Sequence, residues 1–137
     1  MSDFTTSIKI AGSGLNAQTA RMRVIAENMA NADSAGKTPG EDPYRRKIPT
    51  FHAILNNEMD AYEVRVGRLS ADMSDFVTRY EPGHPAADEQ GYVKYPNVNT
   101  LIETMDMREA QRSYEANLNV VTVTRQMLGR TLDILRG

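Results

Sequence analysis

The stretch from Thr100 to Arg136, TLIETMDMREAQRSYEANLNVVTVTRQMLGRTLDILR, decides the fold, because a helical period runs through all of it. Met107, Tyr114, Leu118, Val121, Leu128, Leu132 and Leu135 recur at helical spacing and make one apolar stripe. Val120, Met127 and Ile134 lie beside it and widen the face. Glu103, Asp106 and Glu109 crowd the first turns, and Arg125, Arg130 and Arg136 occupy the end, a polarity that complements the helix dipole. Thr100-x-x-Glu103 reads as a capping box, in which the two side chains satisfy unpaired backbone donors. At 1.5 Å per residue this helix would be about 55 Å long.

At the other end of the chain the same reading gives a second helix from Ile8 to Ala32, about 38 Å long. Ile8, Leu15, Met22 and Met29 stand seven apart, with Ala11, Gln18, Ile25 and Ala32 between them, as in a coiled-coil seam. Gly12 and Gly14 interrupt it at a cost of about 1 kcal/mol each relative to alanine. Close approach of another backbone at both is the expected compensation. The stripe ends at the turn formers Asp33 to Gly40.

Between the helices the period changes to two. Tyr62, Val64 and Val66 alternate with Glu63 and Arg65, and Phe76, Thr78 and Tyr80 with Val77 and Arg79. Both runs read as half-buried strands, joined as a hairpin through Ser70–Ser74. Tyr44–Phe51 and Tyr92–Tyr95 read as further short strands. The fold class is therefore α+β, with long N- and C-terminal helices and a small β-rich segment inserted between them. The division is a helical domain made of 1–34 and 99–137, and a loop and β-hairpin segment over 35–98.

Composition narrows the function. A hydrophobic fraction of 40% supports a real core, and a net charge of -2 gives no field for gathering nucleic acid or an anionic membrane. The one cationic run, Arg45-Arg46-Lys47, reads as a solvated strand edge. The absence of cysteine excludes thiolate nucleophiles, disulfides and Cys-ligated zinc. The start, Met1 to Thr6, lacks the features of a cleaved secretory signal, and no apolar run approaches the roughly 20 residues that span a bilayer. His52 and His84 lie at no metal-ligand spacing, and the adjacent Asp88 and Glu89 point to opposite sides of an extended chain. No phosphate loop, nucleophile elbow or zinc helix motif is present, so the residues imply no enzyme and no cofactor.

A compact globule of this length would be only about 37 Å across. The C-terminal helix exceeds that, and Leu128, Leu132 and Leu135 are expected to project beyond their partner. Packing on neighbouring copies would cover them, and a head-to-tail contact that does not close yields a filament. An intramolecular helical hairpin capped by the strands fits the pattern equally well. A soluble adaptor or chaperone that presents its amphipathic helix to a partner is a further alternative.

Particular residues favour assembly. Ser13-Gly14-Leu15-x-Ala17-Gln18, followed by Asn28-Met29-Ala30-Asn31-Ala32, resembles the N-terminal signature of the flagellar rod and hook axial protein family. Tyr44-Arg45-Arg46-Lys47-x-Pro49-x-Phe51 resembles the proximal-rod members of that family, as does the run from Pro82-Gly83-His84-Pro85 through Pro96-Asn97-Val98-Asn99. Arg112-Ser113-Tyr114-Glu115-Ala116-Asn117 is similar to the family's C-terminal helix signature. The resemblance implies a structural subunit of the flagellar basal body. It also implies export through the type III apparatus without a cleaved signal, and assembly into the periplasmic rod. Its implied partners are copies of itself, other proximal-rod subunits and a basal-ring adaptor. The terminal helices would pair as an antiparallel coiled coil, with the β-rich segment packing further out.

On this reading the assembly interface comprises Leu15, Met22, Ile25, Asn28, Asn31, Tyr114, Asn117, Leu118, Val121, Leu128, Leu132 and Leu135. Asn28 and Asn31 are too polar for an ordinary seam. A helix C-cap would explain them, but two amides flanking one turn favour hydrogen-bonding groups that fix the approach of a neighbour. Asn97 and Asn99 read as turn and helix-start residues.

Overall fold

Two long helices flank six short strands in the computed structural model, which describes residues 2–137. In chain order these are α1 (Ser2–Ala30), β1 (Lys47–Ile48), β2 (Phe51–Asn56), β3 (Ala61–Val66), β4 (Ser70–Ala71), β5 (Val77–Tyr80), β6 (Tyr92–Tyr95) and α2 (Thr100–Arg136). The α+β class and the bounds of α2 agree with the sequence. Helix α1 starts six residues before Ile8 and stops at Ala30, where Asn31 turns its amide back on the Glu27 carbonyl at 2.9 Å.

The strands pair differently from expectation. β3 and β5 do not form a hairpin through Ser70–Ser74. β2 pairs with β3, β5 with β6, and β1 with β4, all antiparallel. The missed element is β2, whose alternation is blurred by adjacent Ile54 and Leu55. Its four-residue turn closes at Asp60, which sits in left-handed geometry (φ 50°) that aspartate tolerates.

The chain forms two units. One holds α1 up to Met22, Thr50–Arg68 and Arg108–Gly137. In it the helices run antiparallel: Gly14 faces Asn117, and Arg21, seven residues on, reaches back to Glu109 at 3.6 Å. Continued at that register, the start of α1 falls opposite about residue 129, and the last two turns of α2 extend past it. Small residues mark this unit, Ala11, Ala17 and Ala110 being buried and Gly14 half-buried against Asn117. A Cβ on Gly14 would lie 2.8 Å from the Asn117 amide, so this glycine serves close approach. Gly12 does not, since nothing lies within 4 Å of its Cβ position. Gly12→Ala should therefore stabilise the isolated chain by up to about 1 kcal/mol in thermal melts. Gly14→Leu should cost about 1–3 kcal/mol by forcing the helices apart.

The other unit holds Arg23–Pro49 and Leu69–Met107. Its core is Val24, Ile25, Val93, Tyr95 and Pro96, with β5–β6 supplying the alternately buried Val93 and Tyr95. The start of α2 is capped by Asn99, whose side-chain oxygen accepts from the Leu101 amide at 3.1 Å. The expected Thr100–Glu103 box is absent, because the Glu103 side chain is committed elsewhere.

Candidate assembly interface

Apolar residues are distributed unusually. Among the described residues seven hydrophobic side chains are buried, three of them alanine, whereas twenty large ones are exposed. Small residues in the α1–α2 seam give little area to hide, so bulky side chains are left outside.

Helix α2 shows this most clearly. Ala110, Asn117, Thr124 and Leu128, spaced by seven, seven and four, are buried or half-buried on one face. Val120, Val123, Met127 and Ile134 share a different face at spacings of three, four and seven, and are 46%, 51%, 50% and 80% exposed. Val123 stands outside the stripe expected from the sequence, and Val120, Met127 and Ile134, expected to widen that stripe, lie on this separate face. The signal that separates them is that Val120 and Val123 fall three apart, as do Leu118 and Val121, in two interleaved rows.

The expected interface residues divide accordingly. Ile25 and Asn28 are buried, and Leu15, Met22, Asn31, Tyr114, Asn117, Val121, Leu128 and Leu132 are half-buried. Leu118 and Leu135 are exposed. The two asparagines have duties within the chain. Asn28 donates to the Lys47 carbonyl at 2.9 Å and accepts from the Tyr44 hydroxyl at 2.7 Å and the Lys47 amide at 2.9 Å. Asn31 caps α1 and accepts from the Ser34 hydroxyl at 3.1 Å. Both amides therefore hold the end of α1 within the chain.

Arg45, Arg46 and Lys47 do not form a solvated edge either. Arg45 donates to the carbonyls of Asp72 and Ser74 and stacks on Phe76, its guanidinium 4.1 Å from the ring centre. Lys47 pairs with Glu27 at 2.5 Å. Arg46 joins Glu103 at 2.5 Å, Asp72 at 3.4 Å and Asp106 at 3.8 Å. Its backbone amide donates to Asn97, which also bonds the carbonyls of Asp72 and Ser74. One short segment thus ties the end of α1 to the start of α2, which charge spacing alone does not reveal.

Asp72 gives this unit an acid sensitivity. Hydrogen bonds from the backbone and side chain of Ser74, and then from Arg46, hold its carboxyl below the ordinary 3.8. A lowered folded value contributes stability that is present above 3.8 and lost as pH falls through the folded value. Melting temperature should fall below pH 3.8 more steeply in the parent chain than in Asp72→Asn, which lacks this titration.

Residues considered for catalysis have structural partners. His84 accepts from the Ala86 amide at 2.9 Å and packs edge-on to Tyr95, and Asp88 accepts from the amides of Gln90 and Tyr92. Among the described residues there is no cluster of His, Cys, Asp or Glu suited to a metal ion, and no helix long and apolar enough to cross a membrane.

Known proteins match this sequence. The family model for flagella basal body rod protein covers residues 8–36, and that for the flagellar basal body rod FlgEFG protein C-terminal covers 89–134. A flagellar basal-body rod protein FlgC from Agrobacterium fabrum is 52% identical over 137 residues, covering 100% of this chain and 99% of its own. The chain belongs to the FlgC family of flagellar basal-body rod proteins. FlgC proteins of Aquifex aeolicus (40% identical, 97% of this chain and 98% of its own) and Bacillus subtilis (38%, 93% and 95%) are also similar. The FlgC matches span α1, the strands and α2 together.

Proposed function

We propose that this chain is a structural subunit of the proximal rod of the bacterial flagellar basal body. It polymerises by packing its terminal helices against neighbouring copies and transmits torque through those contacts. Helical segments 1–34 and 99–137 act as the assembly domain, and 35–98 holds them in place and packs further out. Other rod subunits, a basal-ring adaptor and the type III export apparatus are its partners, and the periplasmic rod is its place of work, reached without a cleaved signal. The role calls for stiffness rather than a reaction.

The observation that carries this reading is the unpartnered face of α2. Full burial of a Val, Ile or Met side chain is worth roughly 1.5–3 kcal/mol, so covering three half-exposed residues and the mostly exposed Ile134 would contribute about 3–7 kcal/mol. Association itself costs about 4–15 kcal/mol. One such contact therefore barely sustains a dimer, and a subunit gripped on several sides is held firmly. The expected behaviour is a monomer at low concentration that grows into open-ended polymer above a threshold. Sedimentation velocity across concentration tests this, and a boundary that stops at a small closed complex would instead mark an adaptor.

A further inference from the structure

The β2–β3 hairpin leaves an apolar face largely open to solvent. Residues directly across an antiparallel pair share a face, and successive residues alternate. Phe51 with Val66, Ala53 with Val64, and Leu55 with Tyr62 make one apolar face. That face is exposed, from 37% at Phe51 to 64% at Tyr62. The opposite face carries Glu63, half-buried and accepting from Asn56 at 2.8 Å, while the Val64 amide donates to the Ser13 hydroxyl of α1 at 3.2 Å. A backbone amide points along the plane of the sheet, so α1 lies at the β3 edge, where Ser13 and Ala17 share a cleft with Val64 and Val66. The apolar face stays largely open, against the expectation that Tyr62, Val64 and Val66 are half-buried.

We propose that this apolar face docks on the Val120–Ile134 stripe of α2 in a second copy of the chain, an inference that rests on the chain being a polymerising subunit. Three observations choose the occupant. The lengths agree: six strand residues extend about 20 Å, and the helix from Val120 to Ile134 rises about 21 Å. The charges are complementary, since the hairpin turn carries Glu58 and Asp60 with no cation, while the helix end carries Arg125, Arg130 and Arg136 against Asp133 alone. Finally, Val64 and Val123 are both exposed, so the chain's hairpin does not cover its own stripe. The two surfaces differ, so the contact is heterologous and repeats head to tail without needing to close.

The chain has no cysteine, so introduced thiols are unique. Val64→Cys chains are mixed under mild oxidation with Val120→Cys, Val123→Cys or Met127→Cys chains, and polymer is followed in parallel by sedimentation. The expected result is a mixed disulfide with at least one helix position. It should weaken roughly tenfold when the hairpin also carries Glu58→Lys and Asp60→Asn, asparagine keeping the left-handed turn. Adding Arg125→Glu and Arg130→Glu to the helix partner should restore it. Polymer that forms with no mixed disulfide at any position overturns the docking alone. A dominant Val64→Cys homodimer also overturns it, by pairing hairpin with hairpin. Absence of both disulfide and polymer overturns the docking together with the subunit reading.

Discussion

Met127→Asp should leave the isolated chain folded while polymerisation and motility disappear. Met127 is half exposed on the unpartnered face of α2, so in the monomer aspartate there meets water and costs little beyond helix propensity. In the assembled state the carboxylate must enter an apolar contact without a partner. Even in protein interiors such burial costs several kcal/mol. A loss of 3 kcal/mol, about a hundredfold in subunit affinity, is enough to dissolve contacts this weak. Circular dichroism should match the parent, whereas sedimentation should show monomer throughout. Leu128→Asp tests something else. Leu128 is half-buried on the packed face, so that change should lower the melting temperature as well as assembly.

Arg46→Met should cost the isolated chain about 3–5 kcal/mol, the usual penalty for stranding a buried charge. Glu103 is 1% exposed and its Oε2 already has no hydrogen-bond partner, so Arg46 alone compensates its burial by pairing with Oε1. Removing the guanidinium also releases Asp72 and Asp106. The double change Arg46→Met with Glu103→Leu should recover most of the loss, since replacing a buried pair by apolar residues is often nearly neutral. Urea unfolding of the four chains would measure the coupling between them. If the single and double variants lose equal stability, the ion pair does not hold this unit together.

These effects show what was legible beforehand. Helix α2 is bounded in the sequence as in the fold, because charge polarity and period both mark it. The helical seam is visible in α1, but not that alanine and glycine would take its most crowded positions. Periodicity finds faces without saying which one a small-residue partner will choose. The same ambiguity hid the exposure of Tyr62, Val64 and Val66, since alternation is symmetric between core and solvent. Strand pairing failed where β2 lacked a clean pattern. The roles of Arg46 and Asn28 depend on partners such as Glu103 and Tyr44, 57 and 16 residues away, and no local motif encodes those distances. The Glu103 carboxylate is bound to Arg46 and is therefore unavailable as a cap.

Oxidative footprinting of the methionines in monomer and polymer addresses the central claim most directly. Met127 lies on the stripe held to be covered by neighbours, and is half exposed in the single chain. It should oxidise readily in dilute monomer and become strongly protected once polymer forms. Equal oxidation of Met127 in both states would mean that this flank stays wet in the filament, and the stripe would then not be what joins the subunits.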